Sequence, residues 1–282
     1  MYSRCPEFLL MSVVLLGSFH GAAAEVHANR VLKVCSDPNN LPFSNQKGEG
    51  FENRLAELIA RDMDARVEYT WFPQRRGFVR NTLGAGICDI VMGVPNGFDP
   101  VETTRPYYRS TYVFLSRVDR KLVLGSLDDP ALKHLTIGLH VVGDDYSNPP
   151  PMHALARRNI VQNVQGYSIY GDYSQPNPPA RLVEAVAEGK VDVAIVWGPL
   201  GGYFAKRQRV PLKIAAVTPE HDGPSLPFVF DISIGVRKRD KALRRELDSI
   251  LLRRSREIKA ILTEFGVPLK ALPSGAAIRA GR

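Results

Sequence analysis

The chain has 282 residues, 44% of them hydrophobic and 23% charged, with a formal charge of +8 at neutral pH. This is the balance of an ordinary globular protein, long enough to bury one large core or two smaller ones. The basic excess carries no aromatic-interleaved basic motif, which argues against nucleic acid and leaves solubility, an acidic partner or an anionic membrane surface as its meaning.

Arg4 precedes an apolar run over residues 8–19, and Ala22, Ala23 and Ala24 follow it. A basic start, a short hydrophobic stretch and a small-residue cleavage site predict a signal peptide over 1–24 and a mature, exported protein beginning near Glu25. A retained membrane anchor is the alternative, but the run is too short for a span and no later segment is long and apolar enough. Cys5 leaves with the signal. Cys35 and Cys88 then meet an oxidising compartment, either bridged or as two thiols set at opposite ends of neighbouring strands. A nucleophilic role for Cys35 has no histidine nearby to support it.

Residues 31–34, apolar and β-branched, predict a buried strand. The next stretch, CSDPNNLPFSN (35–45), mixes an acid, amides, prolines and one phenylalanine, and predicts a stiff surface loop. Phe51, Leu55, Leu58, Ile59 and Met63 then recur at helical spacing. A strand is predicted over 65–72. Phe78, Val79 and Leu83 predict a helix within 75–86, ending in glycines that suit a C-cap. The continuous apolar run 88–94 is a strand buried on both faces. The order β-α-β-α-β points to a parallel sheet covered by helices. It recurs as a strand over 135–140, a helix over 150–159, a strand over 164–171, a helix carrying Leu182, Val183 and Val186, and a strand over 191–198. Gly86, Asp89 and Gly93 at one step are echoed by Gly189, Asp192 and Gly198 at the same step of the second series, which predicts two similar α/β lobes. Two strands and two terminal helices, or one broken helix, close the chain.

The segments DPNNLPFSNQKGEGFEN, TWFPQRRGFVRNTL, GDDYSNPPPMHALARR and YGDYSQPNPPARLVEAVAEGKVDVAIVWGPLGGYFA resemble the quinoprotein-dehydrogenase-associated solute-binding family of the MoxJ/XoxJ type. The resemblance covers nearly all of the mature chain. It implies a two-lobed type II periplasmic binding protein fold, each lobe a mostly parallel sheet flanked by helices. The first lobe would span 25–117 and the second 118–217, with 218–282 returning to the first. It further implies a periplasmic, non-enzymatic accessory protein of a PQQ-dependent methanol or alcohol dehydrogenase. That dehydrogenase is the expected partner and a c-type cytochrome a further candidate, while PQQ and a lanthanide or calcium ion belong to the partner rather than to this chain. A receptor of an ABC transporter for a non-amino-acid small molecule shares the fold and remains the alternative.

In open α/β sheets ligands lie beyond the carboxyl ends of the strands. Four loops meet that condition and are expected to line a cleft for a ligand or partner. They carry Asp37, Asn39, Asn40 and Phe43; Gln74, Arg75 and Arg76; Pro95 and Asn96; and Trp197. His140 and Tyr203 are added as candidates, although His134 and His140 also suit structural roles. Residues 37–43 are expected to serve recognition more than stability. Amino-acid binders of this fold place an arginine after the third strand and an acid after its counterpart in lobe two. Here no arginine occurs until Arg105, and Trp197 stands where the acid is expected, so a free amino acid is a poor candidate. No GxSxG, HExxH, glycine-rich phosphate loop or Cys/His cluster supports catalysis. Asp144 and Asp145 are weak metal candidates. Finally, residues 237–259 hold ten basic residues against four acids. Arg244, Arg245, Arg253 and Arg254 form a candidate docking patch, with an ordinary solvated helix face as the alternative.

Overall fold

The computed structural model describes Met1 and residues 30–142, 148–169 and 173–272. The predicted signal segment and the Asp144–Asp145 pair lie outside these residues.

The chain opens with β1 (Arg30–Ser36), a short hairpin of β2 (Asn39–Asn40) and β3 (Ser44–Asn45), and α1 (Phe51–Asp62). There follow β4 (Ala65–Trp71), α2 (Phe78–Asn81), β5 (Ile90–Pro95), β6 (Glu102–Thr103) and β7 (Tyr108–Arg117). The second series comprises β8 (Ile137–Val141), α3 (Pro150–Arg157), β9 (Val164–Ser168), α4 (Arg181–Ala187), β10 (Val193–Trp197), α5 (Gly198–Ala205) and β11 (Leu212–Ala216). The chain closes with β12 (Val229–Val236), α6 (Lys241–Arg253) and α7 (Ser255–Glu264).

The strand order is β4-β1-β5-β12-β7-β10-β8-β9. The triplets β4-β1-β5 and β9-β8-β10 are each parallel, as the alternating pattern predicts. Two antiparallel strands join them: β12 pairs β5, and β7 pairs β12, β10 and β11. The ten-residue β7 is absent from the sequence-based elements, and it is the strand common to both halves.

The echoed motif is a repeated piece of structure. Val34 pairs with Ile90 in one triplet, and Ile137 with Val193 in the other. Gly86 and Gly189 both take left-handed backbone, at φ 77° and 74°, which only glycine adopts without strain. The aspartate that follows brackets the neighbouring strand in the same way each time. Asp89 donates its N–H to Lys33 O and accepts from Lys33 N, and Asp192 does the same with Thr136. Cys35 and Cys88 form a disulfide with Cα atoms 5.6 Å apart. At the equivalent step of the second triplet stand Gly138 and Val191, and a Cβ built on Gly138 would meet the Val191 side chain at 3.3 Å and Leu182 at 2.5 Å.

The helix expected within 75–86 shrinks to Phe78–Asn81. The buried Thr82 hydroxyl donates to Phe78 O at 2.7 Å, and Gly84 N closes onto Val79 O, so the backbone leaves the α ladder after one turn. Phe78 and Leu83 nonetheless bury with Val91 and Val94 around the disulfide. Gly198, expected as the end of a strand, instead begins α5, with Pro199 in its first turn where a missing N–H costs nothing. In α1 the expected stripe is inward. Phe51 is fully buried, with Phe43, Tyr108 and Phe265 around its ring at 5.3–6.0 Å. Each such side chain contributes about 1.5–3 kcal/mol of burial.

Candidate functional site

The stretch 35–45 is not a surface loop throughout. β1 runs on to Ser36, and Ser36, Asp37, Ser44 and Asn45 are buried polar residues. Asp37 organises the turn: Oδ1 accepts Asn39 N at 2.8 Å, while Oδ2 accepts Gln74 N and the Tyr173 hydroxyl, both at 2.7 Å. Ser44 Oγ donates to Asp37 O, and the Asn53 side chain ties Asn45 N to Gly50 N at the start of α1. Gly50 is required there, since a Cβ would strike the Phe43 carbonyl. Asp37 therefore holds the loop together, and its loss would leave donors unpaired, a cost to stability that the sequence reading assigned to recognition.

This loop forms one wall of a cavity of about 380 Å³ between the two triplets. That size lies within the range of small-molecule sites. Asp37, Asn39, Asn40, Phe43, Gln74, Pro95 and Trp197 all line it, as expected from the carboxyl ends of β1, β4, β5 and β10. The other five candidates do not line it. Arg75 lies next to it, its guanidinium 5.1 Å from the Tyr173 ring, and Arg76 is exposed. Asn96 turns away to Thr104 O and Ser233 Oγ, fastening the end of β5 to β12. Tyr203 lies on the inner face of α5, stacked on Phe265 at 5.6 Å and capped by Arg207 at 3.4 Å. His140 is buried with Nε2 unpaired, and burial pushes its imidazole down to about 4, so it is neutral at physiological pH.

Several lining residues escaped the sequence reading. Tyr108 and Tyr112 come from β7, Phe230 and Ile232 from β12, and Tyr173 from the segment before α4. Trp197 meets Tyr112 and Phe230 edge-to-face, with centroids 5.3 and 5.8 Å apart. Most consequential is Glu52, in the first turn of α1. Its carboxyl enters the cavity beside Gly93, where any Cβ would collide with Oε1 and where φ is +74°. Burial, and then the charge of Asp37, push Glu52 up to about 8. Trp197 does hold the place where the lobe-two acid was expected, and Glu52 joins Asp37 as a second, unexpected acid of the cavity. Glu52 comes from a helix start rather than from the strand end held by Trp197.

The walls also touch directly. Asn39 Nδ2 donates to Gln175 O at 2.8 Å, Asn177 N reaches Asn39 Oδ1 at 3.4 Å, and Tyr173 reaches Asp37 as above.

The candidate docking arginines are largely engaged within the fold. Arg253 and Arg254 both pair with Asp62 at the end of α1, and Arg254 also with Glu257. Arg244 pairs with Asp248 at 2.9 Å and approaches Glu102 at 3.4 Å. Arg245 is exposed. Arg253 and Arg254 thus hold the turn between α6 and α7 to the acid-bearing end of α1, while Arg244 pairs within α6 and reaches β6.

Among the described residues no helix is long and apolar enough to cross a membrane, and no group of three or more His, Cys, Asp or Glu side chains could hold a metal ion.

No family model matches the chain. The protein MoxJ of Methylorubrum extorquens is 34% identical over 245 residues, covering 84% of this chain and 81% of that protein. The crystal structure of MxaJ from Methlophaga aminisulfidivorans superposes with a TM-score of 0.74 at 32% identity, over 85% of this chain and all of that one. The crystal structure of the periplasmic binding protein XoxJ from Methylobacterium extorquens gives a TM-score of 0.70 at 36% identity, over 86% of this chain and all of that one.

Proposed function

This chain belongs to the MoxJ family and has the type II periplasmic binding protein fold, and from that premise we propose that it is a periplasmic, non-enzymatic accessory protein of a PQQ-dependent methanol or alcohol dehydrogenase. The observation that carries this reading is the extent of the likeness to MoxJ, 34% identity over 84% of the chain, far beyond the shared fold alone. In this reading the protein is exported by the segment 1–24. It aids activation or assembly of the dehydrogenase, and PQQ and the lanthanide or calcium ion reside in the partner, with a c-type cytochrome as a further contact. The cleft loops carrying Asn39, Asn40 and Gln74 then form the contact face. The test is to produce the dehydrogenase with and without this protein, then compare its PQQ content, metal content and turnover. Lower cofactor loading or turnover without the protein is expected, and equality in all three measures overturns the reading.

The cavity supports a second reading, a receptor delivering a non-amino-acid small molecule to an ABC transporter. Loss of uptake of a cleft ligand on deletion, with the dehydrogenase unaffected, would favour it.

A further inference from the structure

We propose that the cavity is a binding site for a small organic ammonium ion that carries no carboxylate of its own, such as an alkylamine or a quaternary ammonium. This inference stands apart from the dehydrogenase reading, because it rests on the cavity walls alone.

The first observation is charge. Two carboxyl groups, Asp37 and Glu52, line the cavity, and no lysine, arginine or histidine is among the described lining residues of a chain whose formal charge is +8. Arg75 is not among the lining residues, although its guanidinium lies 5.1 Å from the Tyr173 ring. An anion or a zwitterion would place a carboxylate against these two acids with no cationic side chain in the described lining to pair it. A cation meets partners, and a buried ion needs a partner to offset lost hydration.

The second observation is shape. Trp197 meets Tyr112 at 61° and Phe230 at 75°, so the three rings form adjoining walls rather than a stack. Tyr108 and Phe43 line the cavity as well. Aromatic faces attract a cation through the ring quadrupole, by about 0.5–1 kcal/mol at exposed sites and about 2 when desolvated. An aromatic box with carboxyls at one side suits a poorly hydrated organic cation better than a metal ion, which needs several converging oxygens.

The third observation concerns how the acid is held. Glu52 makes no hydrogen bond through its carboxyl among the described residues, whereas the neighbouring Asp37 accepts from three donors and keeps acceptor capacity on Oδ1. The Glu52 carboxyl occupies the space that a side chain at position 93 would need, which Gly93 leaves to it. A carboxyl kept uncharged by burial is poised to ionise when a cation arrives, with one proton released to solvent. The groups facing it are Asp37, Tyr69, Tyr107 and Tyr108, and the three phenols are held above their usual range, so they stay neutral over the same interval.

The test uses the full-length mature protein and calorimetry with choline, tetramethylammonium, and 3,3-dimethyl-1-butanol as the neutral isostere of choline. Choline should bind at least about tenfold more tightly than the butanol. Because tetramethylammonium does not titrate, its affinity should rise between about pH 6 and 9 as Glu52 gives up its proton. The Glu52→Gln variant should flatten that rise while remaining folded, and Trp197→Leu should weaken both cations more than the butanol. Equal binding of choline and its isostere, absence of cation binding up to about 10 mM (roughly 3 kcal/mol of binding energy or less), or tighter binding of carboxylate-bearing ligands would each overturn the proposal. Dehydrogenase loading is measured separately, so failure of one reading leaves the other intact.

Discussion

Asp37 and His140 stand at equivalent positions, Asp37 just past β1 and His140 still within β8, since Val34 pairs with Ile90 as Ile137 pairs with Val193. In the first triplet that position holds a carboxylate satisfied by two backbone N–H groups and a phenol. In the second it holds a buried imidazole with one nitrogen unpaired. The same asymmetry appears behind them, where a disulfide in one half stands opposite a bare Gly138–Val191 contact in the other. One backbone pattern has thus been finished in two ways. The first half is polar and covalently stapled, and it supplies the acids of the cavity. The second is apolar, and it supplies Trp197 and Leu200. A shared scaffold fixes where the loops emerge, and only the side chains at those exits decide what the cleft is for.

The largest way to break this comparison is to remove the staple. The Cys35→Ala/Cys88→Ala pair opens a link between residues 53 apart, worth about 4 kcal/mol by loop entropy. Thermal unfolding should fall by roughly 8–16 °C. The counterpart, Gly138→Ala, should cost about 1–3 kcal/mol through crowding against Leu182 and Val191. A smaller loss for the cysteine pair than for the glycine would show that the staple is dispensable.

The two halves should also respond oppositely to pH. Glu52 ionises near 4.5 in the unfolded chain but keeps its proton up to about 8 when folded. Unfolding therefore releases a proton across that window, and stability falls as pH rises through it. Glu52→Gln should remove the slope and stabilise the protein by about 3 kcal/mol at pH 9, read from urea midpoints. For His140 the sign reverses. Its unfolded value near 6.5 exceeds the folded one of about 4, so stability is complete above pH 6.5 and is lost as pH falls toward 4. His140→Gln should flatten that acid limb, worth about 2 kcal/mol. Unchanged acid limbs in the variant would mean that other groups carry it.

The smallest effect concerns the basic helix. Reversing Arg253 and Arg254 to glutamate separates Asp62 from both partners, and the arginines hold that carboxyl below its usual range. Because both arginines are substantially exposed, solvent screening should keep the loss the smallest of the set, read as a barely shifted urea midpoint. Association with a partner that slowed by an order of magnitude, at unchanged stability, would restore the docking reading of this patch.

Much of this architecture is legible in the sequence because it rests on local periodicity. The apolar runs around Val34, Ile90, Ile137 and Val193 have no polar face to hide, and the repeated Gly–Asp step marks where each enters its sheet. The cleft loops are legible for the same reason, since they follow strands. Glu52 is not. It sits in a helix start next to Asn53, where an acid is ordinary, and its burial depends on Gly93, forty-one positions away, lacking a side chain. Tyr203 and Asn96 fail in the opposite sense. Each follows a strand closely, but α5 turns Tyr203 onto Phe265, and Ser233 draws Asn96 out of the wall. The strand β7 escapes notice because its ten residues mix serine, threonine and arginine with aromatics. Those residues face different partners along its length.

That strand has a mechanical consequence. Residues 108–111 of β7 are laced to β12, whereas 112–117 are laced to β10 on one side and β11 on the other. A single unbroken backbone therefore carries load between the halves, and the change of partners falls between Thr111 and Tyr112. Any twist of one half against the other must pass through that peptide as well as through the return segment between β11 and β12, with Tyr108 on one side and Tyr112 on the other, both in the cavity wall. The cavity is built against a torsion bar, so whatever fills the space between those two rings braces one of the two crossings between the halves.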